Sequence, residues 1–253
     1  MRALALLFAV LALQACNRPA QPMKAELGTR TETVSLRAAD GVEVFGSYSE
    51  PANPRAVILL FHQAGSGQGE YLTIVPRLTA QGFATLTIDA RSGGDMFGGN
   101  WTVKKLGGER PYLEAQQDLE AALAWANAKG LPVILWGSSY SASLAFLVAA
   151  DHPEVKALLA FSPDEYFDGK PAVRPAAAKL KMPVFVTSSQ APDEIAAGKA
   201  LIDAVPAANK RQFVPVKGGV HGSSILIAVQ NPGGAEDAWA AVLAFLDGAV
   251  PRR

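Results

Sequence analysis

The chain has 253 residues, of which 49% are hydrophobic, and this length and apolar content suit one large α/β domain with a sizeable core. Lysine and arginine together number 23, and so do aspartate and glutamate, which leaves no net charge. With this balance, and with no basic stripe or interleaved aromatic residues, the composition excludes nucleic acid as an expected partner.

The first residues are typical of an export signal. Arg2 precedes an apolar run at residues 3–13, which is shorter than the about 20 residues that a membrane-spanning helix needs. This run fits the apolar region of a secretory signal peptide. Cys16, the only cysteine, follows Leu-Gln-Ala and has no partner for an internal disulfide. The stretch resembles the lipobox of bacterial lipoproteins, although Gln14 is unusual there; an ordinary cleaved signal with an incidental cysteine is the alternative.

The lipobox resemblance implies that Cys16 carries acyl chains, which would hold the protein at a membrane surface. Asn17 after the cysteine implies the outer membrane of the bacterial cell envelope, on the side that faces the periplasm. The polar, proline-containing residues that follow are typical of a tether. We therefore expect a signal peptide at 1–15, a lipidated tether at 16–30 and a folded domain at 31–253.

Strands and helices alternate from residue 31 onwards. Two short strands around the turn Ala39-Asp40-Gly41 predict an antiparallel hairpin. Residues 56–61 are apolar throughout, as expected for a strand that is covered on both faces. The short links between the later elements predict an α/β fold with a mostly parallel eight-stranded sheet and helices on both faces. The predicted strands are 33–36, 42–49, 56–61, 83–88, 133–136, 155–161, 184–187 and 212–216, and the main predicted helices are 70–80, 111–129, 139–150, 173–180, 193–205 and 235–246.

The strand that ends at Trp136 passes into the next helix with no room for a loop. Its link, Gly-Ser-Ser-Tyr-Ser, is typical of a nucleophile elbow, a cramped turn that needs small residues two positions before and after a serine. Gly137 and Ser141 meet this need around Ser139, which makes Ser139 the candidate nucleophile. The backbone N–H of Tyr140 becomes a candidate oxyanion donor. The alternative is that the motif only caps a helix.

A serine nucleophile needs a base, and the sequence has three histidines. His221 lies in a glycine-rich loop after the last strand, from which it can reach over the carboxyl edge of the sheet and act as a general base. His152 lies at a helix end, which favours a capping role, and His62 ends a strand. We therefore take His221 as the candidate base, with an ordinary loop histidine as the alternative.

The base in turn needs an acid that orients its ring. Asp193 and Glu194 follow the strand at 184–187, and both also suit the N-terminal end of a helix. We favour Asp193 as the acid and keep Glu194 as the alternative. The resulting order along the chain, Ser139, acid, His221, is the order found in α/β-hydrolases.

These residues, in this order and context, resemble the α/β-hydrolase superfamily from about residue 31 to the end. The chain is similar to the small, lidless, dienelactone-hydrolase-like branch, with a serine nucleophile where that enzyme has cysteine. The resemblance implies hydrolysis of small-molecule carboxylic esters, or related acyl bonds, through an acyl-enzyme. It also implies that the second oxyanion donor is the N–H of Ala64, or alternatively that of Gln63, and that His62 buttresses this loop.

The sequence also indicates some features of the segments around the expected site. Only residues 162–182 separate the sixth and seventh strands, which is too few for a large cap. The glycine-rich segment 92–110 is expected to form a mobile wall, with Phe97 and Trp101 as apolar contacts. Arg91, in a segment that resembles the Asp-x-Arg-Gly loop of the superfamily, is expected either to hold its loop or to face the pocket.

Two other functions compete with hydrolysis. The glycines at positions 65 and 67 resemble a dinucleotide loop, but Glu70 stands where the third glycine belongs and would repel a pyrophosphate. A non-catalytic surface-binding lipoprotein with the hydrolase fold is the second alternative, because Gln63 and Ser141 depart from the superfamily's glycines. No cluster of His, Cys, Asp and Glu has metal-ligand spacing, so we expect no metal and no cofactor. The pattern specifies no oligomeric state.

Overall fold

The computed structural model describes residues 28–252. The predicted signal peptide, the lipidation site at Cys16 and the tether up to residue 27 lie outside the described residues. The strands are β1 (Arg30–Arg37), β2 (Glu43–Glu50), β3 (Ala56–Phe61), β4 (Phe83–Ile88), β5 (Val133–Ser138), β6 (Ala157–Phe161), β7 (Val184–Thr187) and β8 (Lys210–Phe213). The helices are α1 (Val75–Ala80), α2 (Trp101–Leu106), α3 (Gln116–Asn127), α4 (Tyr140–Asp151), α5 (Val173–Ala177), α6 (Pro192–Ala204) and α7 (Ala235–Ala249), with short 3₁₀ helices at Gln68–Tyr71, Tyr112–Ala115 and Gly222–Leu226.

The eight strands form one sheet in the order β1-β2-β4-β3-β5-β6-β7-β8. The β1–β2 hairpin is antiparallel, β2 pairs antiparallel with β4, and all later pairs are parallel. The predicted fold class is therefore confirmed. Because parallel strands end at the same edge of a sheet, the segments that follow β3, β5, β6, β7 and β8 meet at the carboxyl edge.

Helices cover both faces of this sheet. Successive side chains of a strand point to opposite faces, so Val133 and Leu135 of β5 pack in the core beneath α3, α4, α5 and α6. Ile134 and Trp136 pack in the other core, beneath α1 and α7, where the Trp136 ring stacks on Phe161 with centroids 4.5 Å apart. Burying each such side chain contributes about 1.5–3 kcal/mol, and the two cores fix β5 from both sides.

Several element boundaries differ from the prediction. The predicted helix 70–80 divides into a 3₁₀ turn and α1, because Pro76 lacks the N–H of a helix interior and fits only a first turn. The predicted strand at 212–216 ends instead at Phe213. α2 was not predicted: Asn100 caps it by accepting the N–H of Val103 at 2.8 Å, inside a segment whose many glycines predict only a loop.

The carboxyl edge of the sheet carries no large cap. Between β6 and β7 the only helix is α5, which has five residues. Among residues 28–252, no helix combines the length and the apolar character needed to cross a membrane.

Candidate active site

Ser139 occupies a strained turn between β5 and α4. Its backbone has φ 60° and ψ −126°, a left-handed region that non-glycine residues rarely adopt. Such strain costs about 1–3 kcal/mol and is typically held by close packing. Here a Cβ atom at Gly137 would lie 2.4 Å from Cα of Ala142, so position 137 accepts only glycine. The chain reverses directly from strand to helix, with Ser139 at the carboxyl edge.

Ser141 stands where many elbows have glycine, and its hydroxyl has a specific role. Oγ donates a hydrogen bond to the carbonyl oxygen of Phe61 at 2.7 Å and accepts one from the N–H of Ser138 at 2.9 Å. The side chain thereby ties the end of β3 to the end of β5. The serine at this position stabilises the turn instead of merely fitting into it.

His221 contacts a carboxylate at the same edge of the sheet. Its Nδ1 lies 3.0 Å from Oε1 of Glu194, whose other oxygen accepts the N–H of Ser189 at 3.0 Å. Burial by itself raises the pKa of Glu194, but the hydrogen bonds from His221 and Ser189 outweigh it and lower the pKa to about 2. Glu194 is therefore ionised at neutral pH, and the histidine ring is oriented by an anion.

The contact that we predicted for Asp193 is made by the alternative residue, Glu194. Asp193 lies in the first turn of α6 with its side chain exposed, and within residues 28–252 it forms no ion pair with His221. Consecutive residues of a helix point about 100° apart. Since α6 begins at Pro192, only Glu194 faces the loop that carries His221.

The other two histidines lie away from this contact. His62 is buried, its Nε2 accepts the N–H of Ala90 at 2.9 Å, and its Nδ1 donates to the carbonyl oxygen of Gln63 at 2.8 Å. Burial lowers the pKa of His62, so the ring is neutral and braces the loop after β3. His152 contacts Glu120 at 2.7 Å at the surface end of α4.

Two backbone N–H groups near Ser139 are free to bind an anion. Within residues 28–252, neither the N–H of Ala64 nor that of Tyr140 has a protein acceptor. The N–H of Gln63 is already committed, because it donates to Oε2 of Glu70 at 2.8 Å. Of the two positions considered after β3, the structure leaves the N–H of Ala64 available.

A comparison with protein families identifies the chain. The family model described as serine aminopeptidase, S33, matches residues 52–199, more than half of the sequence. The chain belongs to this hydrolase family. The matched segment includes Ser139 and Glu194, and His221 lies beyond it. No curated protein sequence matches the chain.

Solved structures show the same fold as this S33-family hydrolase. An esterase from Pyrococcus furiosus has a TM-score of 0.67 and 18% identity, with 88% of this chain and 93% of that chain covered. A dienelactone hydrolase from Anabaena variabilis has a TM-score of 0.69 and 19% identity, with 88% and 99% covered. A cold-adapted esterase from an Arctic intertidal metagenomic library has a TM-score of 0.60 and 22% identity, with 90% and 96% covered. The predicted α/β-hydrolase fold is thereby confirmed.

Arg91 of this hydrolase does not face the site. The buried guanidinium donates to Oδ1 of Asp118 at 2.7 Å and also pairs with Asp40. It holds α3 and the β1–β2 turn against the end of β4. Of the two roles considered for Arg91, the structure supports the one in which it holds its own loop.

An aromatic cleft borders the strained serine. It has a volume of about 600 Å³. The ring of Tyr112 stacks on Tyr140, the residue after Ser139, with centroids 4.4 Å apart. Burial raises the pKa of Tyr166 to about 12, against a smaller opposite effect of a hydrogen bond with the Ser139 hydroxyl. Trp101, expected as an apolar contact in the wall formed by residues 92–110, is 57% exposed on α2 and lines a different depression. The cleft is lined by Glu109, Arg110, Pro111, Tyr112, Leu113, Tyr166, Phe167 and Asp168.

Three side chains to which sequence reasoning gave no organising role hold this edge together. Ser162 directly follows β6, and its Oγ accepts the N–H of Gly222, next to His221, at 3.0 Å. Tyr166 follows in the same loop, and its hydroxyl donates to the carbonyl oxygen of Ser162 at 3.0 Å. Glu70 enters the sequence argument only as a charge that disfavours a dinucleotide. A usable signal for Ser162 is its place directly after an apolar strand.

Proposed function

We propose that this chain is a serine hydrolase that cleaves carboxylic esters of small molecules through an acyl-enzyme. The observation that carries the proposal is the strained Ser139 at the same sheet edge as the His221–Glu194 pair. A serine on such a turn, with a carboxylate-oriented histidine nearby, is the arrangement of nucleophile, base and orienting acid found in acyl transfer. Family membership and the fold of the esterases support it.

The proposed reaction assigns one role to each group. Ser139 Oγ attacks the ester carbonyl carbon while Nε2 of His221 accepts the hydroxyl proton. The N–H groups of Ala64 and Tyr140 bind the oxyanion that forms, and removal of one such donor typically costs about 3 kcal/mol. The intermediate collapses when His221 returns the proton to the departing alcohol. Water, deprotonated by His221, then cleaves the acyl-enzyme and restores Ser139.

Glu194 stabilises the imidazolium without taking its proton. With its pKa lowered to about 2, the carboxylate accepts the Nδ1–H hydrogen bond at neutral pH and directs Nε2 toward the substrate. Among the described residues, Ser139 and His221 form no hydrogen bond with each other in the resting structure. Catalytic hydrogen bonds of this kind often form or tighten only when substrate binds.

The aromatic cleft supports an apolar or aryl group in the substrate. Tyr112 and Tyr166 line the cleft, and Leu113 adds an exposed apolar side chain. Ring faces favour planar or apolar groups through burial and stacking. The open edge of the sheet, which carries only α5 as a cover, admits small esters without a lid movement.

Aminopeptidase activity is the second candidate, because the family is described as serine aminopeptidase. Such an enzyme must bind an α-ammonium group. Glu165 is not free to do so, since its carboxylate accepts the N–H groups of residues 172–174 at 2.8–2.9 Å. Glu109 and Asp168 lie exposed on the rim of the cleft, where solvent screens an ion pair. The arrangement of these carboxylates favours ester substrates.

A panel of substrates separates the two candidates. We expect p-nitrophenyl acetate, butyrate and benzoate to be hydrolysed with kcat/KM at least about 100-fold above that for alanyl and leucyl p-nitroanilides, because nothing buried in the cleft neutralises an ammonium group. The measurement is initial-rate kinetics on the purified protein. Faster cleavage of the aminoacyl anilides would contradict the ester assignment and support the aminopeptidase.

We also propose that the enzyme is lipid-anchored through Cys16 at the outer membrane, facing the periplasm. The support is the sequence at residues 1–16, which resembles a lipobox, and the tether-like composition that follows it. We expect Cys16→Ser to move the protein from the membrane pellet to the soluble fraction, because the acyl chains can no longer be attached. Asn17→Ala, which keeps the cysteine, is the matched control. Retention of the serine variant in the pellet would contradict the anchor.

A further inference from the structure

Glu70 is a buried carboxylate that lies directly behind the proposed active site. It sits in the 3₁₀ helix Gln68–Tyr71 and is only 1% exposed. Its Oε1 accepts a hydrogen bond from Oγ of Ser138 at 2.7 Å, and its Oε2 accepts the N–H of Gln63 at 2.8 Å. Within residues 28–252, Glu70 forms no ion pair. Burial of an unpaired carboxyl group costs free energy, which marks Glu70 as a functional candidate.

The two contacts of Glu70 reach three catalytic segments. Gln63 directly precedes Ala64, the proposed oxyanion donor, and Ser138 directly precedes Ser139. Oγ of Ser138 in turn accepts the N–H of Ser223 at 2.9 Å, two residues after His221. One carboxylate thus connects the oxyanion loop, the nucleophile turn and the histidine loop through three hydrogen bonds.

The packing around this network leaves little room for rearrangement. Gly222 has φ 67°, and a Cβ atom there would lie 2.5 Å from Oγ of Ser138. The histidine loop therefore approaches Ser138 as closely as a glycine allows. A change in the Ser138–Glu70 contact is therefore expected to be transmitted to the backbone beside His221, because Ser138 and the histidine loop are already in close contact.

Several titratable groups surround the carboxylate. His221 on the loop after β8, Tyr71 on the same 3₁₀ helix and Tyr140 on α4 all interact with the charge of Glu70. Burial raises the pKa of Glu70 to about 7, although the hydrogen bonds from Gln63 and Ser138 and the charge of His221 oppose that rise. His221 thus faces two carboxylates, Glu194 in direct contact and Glu70 behind the turn.

We propose that Glu70 is a positioning residue for the ester hydrolysis proposed above. Its carboxylate fixes the positions of the Ala64 amide, Ser139 and His221 relative to one another. Its negative charge stabilises the imidazolium that His221 forms when it accepts the serine proton. Glu194 orients the ring from one side, and Glu70 adds a second anion from the interior. This inference rests on the proposed function.

The substitution Glu70→Gln removes the charge of the side chain but keeps its shape, so it tests the two contributions separately. Glutamine has the same shape: its carbonyl oxygen accepts the N–H of Gln63, and its amide donates to Oγ of Ser138. We expect kcat for p-nitrophenyl butyrate to fall about tenfold while KM changes less than about twofold, because the lost interaction is strongest in the transition state. The acidic limb of the plot of kcat/KM against pH is expected to move to lower pH by at least about 0.5 unit, because the variant lacks the carboxyl that takes up a proton near pH 7 in the wild type.

Thermal unfolding distinguishes positioning from simple stabilisation of the fold. A carboxyl whose folded pKa is raised loses stability as pH rises from its unfolded value, 4.5, through about 7, since the folded state must then bury the charge. Glu70→Gln removes that cost. We therefore expect its Tm at pH 9 to equal or exceed that of the wild type, even though the variant is slower.

Two further variants complete the experiment. Glu70→Asp keeps the charge but is one methylene too short to make both contacts, so kcat should fall without a shift of the acidic limb. Asp89→Asn is the matched control, because Asp89 is also buried and accepts the N–H groups of Gln68 and Trp101, yet it has no bond to Ser138 or to the histidine loop. Its acidic limb should remain in place.

The outcomes are distinct. Suppose that a fluorophosphonate labels the wild type, but that Glu70→Gln changes neither kcat nor the acidic limb of the plot of kcat/KM against pH. This result overturns the inference about Glu70 and leaves the proposed function standing. A variant whose Tm at pH 9 falls in parallel with its activity shows a carboxylate that only stabilises the fold, and this also overturns the inference. Failure of the wild type to hydrolyse esters or to react with the probe overturns the proposed function first.

Discussion

Ser139→Ala is expected to lower kcat/KM for p-nitrophenyl butyrate by about 10⁴-fold or more, because no other group can form the acyl-enzyme. The residual rate would come from the oxyanion donors and substrate binding. The substitution removes one hydroxyl from a side chain that is 7% exposed and leaves the turn in place, so the unfolding free energy should change by less than about 1 kcal/mol. Steady-state kinetics and a thermal melt measure both quantities.

Ser143→Ala is the matched control for this prediction. Ser143 lies one turn further along α4, and its Oγ donates to the carbonyl oxygen of Asp164 at 2.6 Å. It is buried like Ser139 but has no role in the proposed chemistry, so it should retain most of the activity. Equal losses in the two variants would show that the helix, and not a nucleophile, is being disrupted.

The second large effect is expected at Glu194. Glu194→Gln should reduce kcat by about 10³- to 10⁴-fold, because a neutral amide neither selects the required tautomer of His221 nor stabilises its positive charge. The neighbouring Asp193→Asn should change kcat less than about twofold, because Asp193 is exposed on α6 and does not contact His221. The two variants differ by one position in the chain, which makes them a close pair for kinetic comparison.

The opposite result, a large loss in Asp193→Asn with a mild one in Glu194→Gln, would restore the acid favoured from the sequence. The pH dependence gives a second check. Since hydrogen bonds hold the pKa of Glu194 near 2, this carboxylate remains ionised above about pH 3. Loss of activity between pH 5 and 7 in the wild type must therefore come from another group, and Glu70, whose pKa burial raises to about 7, is the candidate.

The fold could be predicted because each signal is local. The apolar runs that become β3 and β5, the amphipathic run that becomes α3 and the short links between them all depend on nearby residues. The turn at Ser139 is also local, since Gly137 must lack a side chain for the strand to reverse into a helix. Alternation of strand and helix then determines a mostly parallel sheet.

The choice between Asp193 and Glu194 could not be made from the sequence. Both are carboxylates in the first turn of α6, and which one faces His221 depends on how that helix is rotated against β7 and β8. The rotation is set by packing of residues such as Leu201 in the core. A difference of one residue, about 100° around the helix, is smaller than the uncertainty of a helix start read from sequence.

The role of Glu70 could not be predicted from the sequence for a different reason. Its partners Gln63 and Ser138 are 7 and 68 positions away, and only the pairing of β3 with β5 brings them together. A glutamate beside apolar residues in a helical pattern predicts a solvated side chain. The structure instead buries it, because the 3₁₀ turn points it under the sheet edge.

Identification of the residue that reacts with a fluorophosphonate probe tests the central claim, that a strained serine is activated by the His221–Glu194 pair, most directly. The treated protein would be digested and the modified peptide sequenced by mass spectrometry, for the wild type and for Ser139→Ala and His221→Ala. We expect one adduct per chain, on Ser139, absent from the first variant and formed at least about 100-fold more slowly in the second. An unmodified wild type, or an adduct on a different serine, would contradict the account.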